Sequence, residues 1–274
     1  MIQHPRTTPI ALTIAGSDSG GGAGIQADLK AFSALGAYGC SVITALTAQN
    51  TQGVQGILDV PPEFIRAQMD SVFTDISVKA VKIGMLSQAC VIRTIAEALA
   101  HYRVELLVVD PVMVATSGDK LLQDDAITTL KECLIPQATM ITPNLPEAAV
   151  LLDCAIPKTV AQMEALIEPL LALGSRTVLL KGGHLGGEES VDLFHDGQTL
   201  HYLTSPRTPT RNTHGTGCTL SSAITALLAR GFELHDAVSQ GKHYIANAIA
   251  HADELHIGHG HGPVHHFAGI WTQN

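Results

Sequence analysis

The apolar stretch Ile10-Ala-Leu-Thr-Ile-Ala15 predicts a buried β-strand, because its residues are branched or small and carry no charge. The glycine-rich segment Gly16-Ser-Asp-Ser-Gly-Gly-Gly-Ala-Gly24 follows and predicts a turn from strand to helix. Ile25, Leu29 and Phe32 then recur at the spacing of one helix face. Strand, turn and helix in this order are typical of an α/β fold.

The same alternation continues along the chain. Further short apolar runs predict buried strands at residues 40–47, 79–83, 106–110, 140–142 and 177–181. Helical periodicity predicts helices at residues 62–75, 88–101, 126–134, 160–173, 217–230 and 234–254. Because strands alternate with helices, we expect a three-layer α/β/α fold with a mostly parallel central sheet covered on both faces.

An antiparallel hairpin is predicted at the edge of that sheet. Residues 191–194 and 199–203 read as two strands, and Asp196-Gly197 between them is a favourable turn sequence. The chain contains no internal repeat, linker or low-complexity segment. We therefore expect one domain over residues 1–274, with residues 1–8 as a short polar tail.

The composition argues against several classes of function. The chain has 274 residues, 46% of them hydrophobic, and a net charge of −9, which disfavours nucleic-acid binding. No apolar run is long enough to span a membrane, and residues 1–8 lack the apolar core of a secretory leader. The five cysteines contain no C-x-x-C pair, which favours reduced thiols. We expect a cytoplasmic protein that binds neither membranes nor nucleic acids.

The segment Asn212-Thr-His-Gly-Thr-Gly-Cys218 predicts an anion site. It precedes an amphipathic helix, so free backbone N–H groups and the positive end of the helix dipole converge there. Gly215 and Gly217 have no side chain to keep a phosphate from the backbone. The same field favours the thiolate of Cys218, which stands in the first turn.

The glycine-rich loop at residues 16–24 matches neither common nucleotide motif. It has no Lys-Ser/Thr pair, so it is not a P-loop, and it lacks the third glycine of the dinucleotide fingerprint. Two interpretations remain open. The loop is a plain structural connection, or it lets a flat substrate approach the backbone, with Asp18 or Asp28 available to bind it.

Other polar residues stand at predicted strand ends, where ligands bind in such sheets. The carboxamides of Gln49 and Asn50 suit the edge of an aminopyrimidine or pyridine, or they stabilise a turn. Asp110 is a metal ligand, a general base or a turn cap. Lys181, beside two glycines, suits neutralisation of a transferred phosphate.

Asn144 and Glu147 stand three residues apart at the start of a predicted helix. Their oxygens would share one face, and hard oxygen ligands with water suit Mg²⁺. The same spacing predicts a capping box, with Asn144 as the N-cap and Glu147 as its N3 partner. Both interpretations can hold together.

Several longer blocks resemble one known family. They are Gly21-Gly-Ala-Gly-Ile-Gln-Ala-Asp-Leu-Lys30, Ser41-Val-Ile-Thr-Ala-Leu-Thr-Ala-Gln-Asn-Thr51, Lys82-Ile-Gly-Met-Leu86, Ile141-Thr-Pro-Asn-Leu-Pro-Glu147 and Asn212-Thr-His-Gly-Thr-Gly-Cys218. With these blocks in order over nearly its whole length, the chain resembles the hydroxymethylpyrimidine/phosphomethylpyrimidine kinases of thiamin biosynthesis. These belong to the ribokinase-like superfamily, so the resemblance implies the ribokinase-like version of the three-layer fold.

The resemblance implies a substrate site. Gln49 would hydrogen-bond the edge of the pyrimidine, and Met85 and Val112 would pack near the ring. Gly16 and Asp28 lie in blocks associated with the same pocket.

The resemblance also implies a nucleotide site. Asn144 and Glu147 would organise Mg²⁺, largely through water, around the phosphates of ATP. Lys181 would neutralise phosphate charge, and ATP would also contact Thr216, Gly217 and Lys242.

Two catalytic features follow from the resemblance. Gly215, Thr216 and Gly217 would form the anion hole. Cys218 stands where ribokinase and its sugar-kinase relatives have a catalytic Asp, so it is the candidate to accept the proton of the alcohol. A helix N-terminus and a nearby cation lower a thiol pKa, whereas bound phosphate raises it.

The expected activity is ATP-dependent phosphorylation of 4-amino-5-hydroxymethyl-2-methylpyrimidine to its monophosphate and then to its diphosphate, with ATP and Mg²⁺ as cofactors. A pyridoxal or pyridoxine kinase on the same fold is the nearest alternative, and cysteine-bearing relatives phosphorylate pyridoxal. A non-catalytic protein that senses the pyrimidine is a more distant one. The family resemblance also implies a homodimer.

Overall fold

The described residues form one nine-stranded sheet. A computed structural model describes residues 8–113, 122 and 124–271, so all of the predicted polar tail except Thr8 lies outside them. Along the sheet the strands follow the order β3-β2-β1-β4-β5-β6-β7-β8-β9. Their bounds are β1 Ile10–Asp18, β2 Tyr38–Asn50, β3 Gly53–Asp59, β4 Ala80–Ile83, β5 Leu107–Val109, β6 Met140–Ile141, β7 Thr177–Leu180, β8 Glu189–His195 and β9 Leu200–Pro206.

The sheet is parallel at its centre and antiparallel at both edges. The six central strands, β2, β1, β4, β5, β6 and β7 in their order along the sheet, pair in parallel. The predicted hairpin is confirmed as β8 and β9, which extend the sheet beyond β7. The strand β3 pairs antiparallel with β2 at the other edge and was not predicted. Most of its side chains are exposed and its segment contains two glycines, so it lacks the apolar alternation of a half-buried strand.

The helices cover both faces of the sheet. Their bounds are α1 Gly24–Ala34, α2 Pro62–Phe73, α3 Ala89–His101, α4 Asp124–Thr129, α5 Leu145–Leu152, α6 Val160–Leu171, α7 Thr216–Ala229 and α8 Leu234–Ala250. The helix predicted at 126–134 is α4 followed by a π-helical turn, Leu130–Leu134. The helix predicted at 234–254 is α8 followed by a 3₁₀ turn, Ala252–Glu254. In the described part of the chain, no helix has the length and apolarity needed to cross a membrane.

Two hydrophobic cores hold the three layers together. Successive strand residues point to opposite faces, so Leu12 and Ile14 join one core and Ala11 joins the other. The first core packs α2 to α6 against the sheet, and the second packs α1, α7 and α8. The expected three-layer α/β/α architecture is confirmed.

The order of the strands creates a crevice above β1 and β4. The chain leaves β1 toward β2 on one side, and it leaves β4 toward β5 on the other. Connections that diverge from neighbouring strands open a gap at their carboxyl ends, where ligands bind in doubly wound sheets. Gly16 in β1 and Met85 just after β4 stand at this gap.

Candidate active site

A cavity of about 640 Å³ opens at the carboxyl ends of the parallel strands. It is lined by most of the residues that the sequence singled out, which come from eight separate segments of the chain. These are Gly16, Gln49, Met85, Val112, Asn144, Glu147, Lys181, Gly215, Thr216, Gly217, Cys218 and Lys242. The fold therefore brings the expected substrate and nucleotide residues to one place.

The anion turn has the backbone that its glycines require. Gly215 is the N-cap of α7 with φ +77°, and a Cβ there would overlap the carbonyl oxygen of Gly22. A Cβ on Gly217 would lie 3.2 Å from Lys181 Nζ and 3.6 Å from Asp110 Oδ2. The start of α7 and the lysine cation therefore face the same small volume, as an anion site requires.

Lys181 forms an ion pair with Asp110, whose role the sequence left open. Lys181 Nζ lies 2.7 Å from Asp110 Oδ1, which also accepts a hydrogen bond from the Thr142 hydroxyl at 2.9 Å. Burial alone would raise the pKa of Asp110, but the charges of Lys181 and Lys82 outweigh it and hold that pKa below its usual range. Asp110 is thus a carboxylate that keeps Lys181 charged and in place.

Cys218 is less acidic than its position in the helix predicts. It lies in the first turn of α7 and is half-buried. Burial raises the pKa of its thiol to about 11, although the charge of Lys82 and the backbone N–H of Gly24 act in the opposite direction. The prediction of a lowered pKa is therefore wrong, because desolvation exceeds the favourable effect of the helix start and of Lys82.

Asp28 does not line the cavity, which corrects its expected place in the substrate site. Its side chain is completely buried and lies 2.9 Å from Lys82 Nζ. It also accepts hydrogen bonds from Thr13 and Ser222, each at 2.6 Å. Its carboxylate is saturated by these partners and is not directed at a ligand.

Asp18 is the carboxylate that the glycine-rich loop contributes. It accepts hydrogen bonds from the backbone N–H groups of Gly20, Gly22 and Ala23, and its Oδ2 lies 2.8 Å from His214 Nε2. Although burial raises the pKa of Asp18, these hydrogen bonds lower it below the ordinary value. The carboxylate thus ties the loop to the segment that precedes the anion turn.

Gln49 lies beside His214, the residue that also contacts Asp18. Its Nε2 lies 3.4 Å from His214 Nε2, and the Thr47 hydroxyl lies 3.1 Å from its Oε1. Met85 lines the cavity close by, and a Cβ on Gly16 would come within 2.5 Å of Met85 Cε. Gly16 thus lets the end of the Met85 side chain pack against the backbone here.

Asn144 and Glu147 form the predicted capping box. The Asn144 side chain accepts from the backbone N–H of Glu147 at 2.9 Å, and Glu147 Oε2 accepts from that of Asn144 at 2.8 Å. Burial raises the pKa of Glu147 to about 7, the charge of Lys181 opposes this, and that of Asp110 adds to it. The pair lines the cavity beside Lys181.

A comparison with known families decides which family the chain represents. The family profile described as phosphomethylpyrimidine kinase matches residues 18–265. The chain belongs to this family. As a member of this kinase family it uses ATP.

Relatives of known name agree with that assignment. The chain is 58% identical over 264 residues to the hydroxymethylpyrimidine/phosphomethylpyrimidine kinase of Rhizobium meliloti (strain 1021), which covers 96% of this chain and 99% of the relative. It is 54% identical over 255 residues to a thiamine biosynthesis bifunctional protein of Geobacter sulfurreducens, covering 93% of this chain and 51% of that protein. The crystal structure of an ADP complex of Bacillus subtilis pyridoxal kinase superposes with a TM-score of 0.88 at 37% identity, covering 96% of this chain and 98% of that chain.

The sequence did not reveal Asp192, which pairs with the predicted residue Lys242 near the site of this kinase. Lys242 Nζ lies 2.6 Å from Asp192 Oδ2, and Asp192 Oδ1 accepts from the backbone N–H of Gly182. Lys82 was missed as well, although a lysine within the apolar strand Ala80–Ile83 already signals a buried charge. The partners of these charges come from distant segments, and spacing alone does not reveal such pairs.

Proposed function

We propose that this kinase transfers the γ-phosphoryl group of ATP to the hydroxymethyl oxygen of 4-amino-5-hydroxymethyl-2-methylpyrimidine, and then to the resulting monophosphate, in thiamin biosynthesis. One observation carries the proposal. The ring-binding candidates Gln49 and Met85 and the phosphate-binding candidates Lys181 and Gly217 line a single cavity. Phosphoryl transfer needs mainly the alignment of donor and acceptor and the stabilisation of charge, and this cavity supplies both kinds of group.

The acceptor end of the cavity suits a flat polar ring. Gln49 offers a carboxamide that both donates and accepts hydrogen bonds, as the edge of an aminopyrimidine requires. Met85 and Val112 supply apolar surface for the faces of the ring. Gly16 lets Met85 Cε pack against the backbone at this end of the cavity, since a Cβ there would come within 2.5 Å of it.

The phosphate end concentrates positive potential. The backbone N–H groups at the start of α7, from Gly215 to Gly217, would bind the transferred group, with Thr216 beside them. Lys181 would neutralise the charge that develops on it, because the charges of Asp110 and Glu147 keep the pKa of this buried amine above its ordinary value despite burial. Lys242 would approach the nucleotide from α8, although it is paired with Asp192 in the resting protein.

Cys218 is the candidate proton acceptor for the first transfer only. Its raised pKa means that Cys218 is mostly a thiol, so only its thiolate fraction, which the charge of Lys82 favours, can take the proton of the alcohol. The acceptor of the second transfer is a phosphate monoester that is already ionised near neutral pH and needs no base. Positioned proton transfer is worth about 10²–10⁴ in rate, so Cys218→Ala would slow the first transfer more than the second.

Asn144 and Glu147 would hold Mg²⁺ through water. Each side chain accepts one backbone hydrogen bond in the capping box, which orients its oxygens and leaves further lone pairs for the water molecules around Mg²⁺. Across residues 8–113, 122 and 124–271, no three His, Cys, Asp or Glu side chains converge as a metal cage. A hydrated Mg²⁺ bound largely to phosphate oxygens fits this donor set, and it would reduce the repulsion between acceptor and donor charges.

A mass-spectrometric assay tests the proposed activity. The protein is incubated with ATP, MgCl₂ and the hydroxymethylpyrimidine, and the mono- and diphosphate are followed over time. We expect both products in sequence. A time course without any phosphorylated pyrimidine would overturn the proposal.

Pyridoxal kinase activity is the second candidate, favoured by the similarity to the pyridoxal kinase structure. Both substrates are flat heteroaromatic rings with a hydroxymethyl group. Parallel assays with pyridoxal and the pyrimidine at equal concentrations separate the two functions. We expect the larger kcat/KM for the pyrimidine, because the resemblance assigns Gln49 and Met85 to it.

We also propose that the protein is a homodimer that acts in the cytoplasm. Leu46 of β2 and Ile57 and Leu58 of β3 are 45%, 44% and 66% exposed, an apolar surface of the kind that protein interfaces cover. The five free cysteines suit a reducing compartment. Sedimentation should show a dimer for the unsubstituted protein and a monomer for Leu58→Asp; a monomeric unsubstituted protein would contradict this.

A further inference from the structure

A cluster of four polar side chains lies buried under the cavity and has no role in the transfer described above. Lys82 Nζ is 3.0 Å and 2.9 Å from the two carboxylate oxygens of Asp28. The hydroxyls of Thr13 and Ser222 each donate to the same carboxylate at 2.6 Å. All four side chains have essentially no exposed surface. We call these residues the Asp28 cluster.

The cluster lies next to Cys218. Ser222 follows Cys218 by one turn of α7, so both side chains are on the same face of that helix. Lys82 lies near the end of β4 and lines the same cavity as Cys218. A Cβ on Gly84 would come 2.7 Å from Lys82 Nζ, so the ammonium group packs against the end of the strand that leads to the cavity.

The burial of this ion pair has an electrostatic consequence. Buried ion pairs add little net stability, because desolvation offsets most of their attraction. The same low dielectric, however, makes each charge act strongly on its neighbours. The charges that face Cys218 are Lys82 from β4, Asp28 from α1, Asp110 after β5 and Lys181 after β7. Of the two cluster charges, that of Lys82 lowers the pKa of the thiol and that of Asp28 raises it.

We propose that the buried Lys82–Asp28 pair, which Ser222 links to the helix face of Cys218, is a positioning device that sets how readily this thiol exchanges its proton. Neither side chain has exposed surface, so both would act through Cys218. The consequence for catalysis rests on the proposed function, whereas the effect on the thiol does not. The inference also gives Asp28 a role other than substrate binding.

Alkylation of Cys218 by iodoacetamide tests the effect on the thiol without any turnover. The reagent is uncharged, and the alkylation is run at pH 8. Peptide mass spectrometry then distinguishes Cys218 from the four other cysteines. An opposite charge nearby shifts a pKa by about 1–3 units, and each unit changes the alkylation rate about threefold after allowance for the nucleophilicity of the thiolate. We expect Lys82→Met to slow the alkylation at least about threefold, and Asp28→Asn to accelerate it at least about threefold.

The opposite signs are the decisive feature of this experiment. Both substitutions break the same ion pair, so a purely structural role would move both rates in one direction or leave both unchanged, and either result would overturn the proposal. Thr13→Val removes a hydrogen bond to Asp28 without changing any charge, so its Cys218 should be alkylated at the same rate as in the unsubstituted protein. If Lys82→Met does not fold, the double variant Lys82→Met/Asp28→Asn buries no unpaired charge. Cys218 should be alkylated more slowly in this double variant than in Asp28→Asn alone. Equal rates would overturn the proposal.

Kinetics separate this inference from the proposed function. In Lys82→Met, the pH–rate profile for the hydroxymethyl acceptor should move to higher pH, while that for the phosphate acceptor stays in place. Equal shifts for both acceptors would contradict a role through Cys218. If the unsubstituted protein phosphorylates no pyrimidine, the proposed function fails, and the alkylation rates still decide the effect of the pair on the thiol.

Discussion

Gly217→Ala should separate the activity of this kinase from its stability. Gly217 is the second residue of α7, and its φ is outside the left-handed region, so alanine fits the backbone. The added methyl group would lie 3.2 Å from Lys181 Nζ and 3.6 Å from Asp110 Oδ2. It would thus occupy the space between the helix N-terminus and the lysine, where the transferred phosphate is expected.

The expected effects of Gly217→Ala on activity and on stability have opposite signs. Blocking one donor of an anion hole costs about 10²–10³ in rate, so kcat/KM for ATP should fall by that factor. Alanine is a better helix former than glycine by up to about 1 kcal/mol, so the thermal midpoint should stay constant or rise slightly. Loss of activity in a folded and stable protein is therefore the expected result.

Coupled ATPase kinetics and thermal unfolding measure these two quantities on the same sample. Gly186→Ala is a matched control, because a Cβ on Gly186 meets nothing within 4 Å and the residue does not line the cavity. The control should keep full activity. Near-normal kcat/KM in Gly217→Ala would refute the placement of the phosphate against the start of α7, and a large drop in its thermal midpoint would contradict the expected fit of alanine in the helix.

Three further predictions concern the charges and the ring site. Lys181→Met should lower kcat by about 10²–10³, and it should destabilise the fold by about 3–5 kcal/mol because Asp110 loses its buried partner. Steady-state kinetics and denaturant unfolding measure these two effects. An unchanged kcat would contradict the role of Lys181. The folded-state pKa of Glu147, about 7, lies above the ordinary 4.5, so the folded protein binds more protons in this range and stability should fall as pH rises from about 4.5 to 7. Measured in EDTA, the free energy of unfolding of the unsubstituted protein should fall over this pH range by at most about 3 kcal/mol more than that of Glu147→Gln. The same pH dependence in both proteins would contradict the raised pKa. Gln49→Leu should raise KM for the pyrimidine about 10–100-fold with little change in KM for ATP, and equal changes in both would argue against ring binding by Gln49.

The sequence predicted most elements of the fold because they carry a strong local signal. Strand β1 begins with the largely apolar run from Ile10 to Ala15, and α7 repeats its apolar side chains at helical spacing behind a glycine turn. The strand β3 carries no such signal, since its pairing with β2 and not its burial holds it in the sheet.

The candidate site was predicted as a set of residues, but their contacts were not. Asp28 was expected in the cavity, yet it shares a helix face with the buried Ile25 and Phe32, a position at which a charge needs a buried partner. That partner, Lys82, is 54 residues away along the chain, and only the packing of α1 against the sheet brings the two charges together.

By itself, the sequence determined the alternation of strands and helices, the glycine turn at the start of α7, and the residues that mark the family. These depend on side-chain periodicity and backbone freedom, which act over a few neighbouring residues. Only the tertiary structure decided which charges meet and how deeply they are buried. The thiol of Cys218 illustrates the difference. Its position at a helix start predicts a lowered pKa, whereas burial and the charges of Asp28 and Asp110 raise that pKa against the charge of Lys82. Desolvation and long-range charge depend on every segment packed around a group, and no local stretch of sequence contains them.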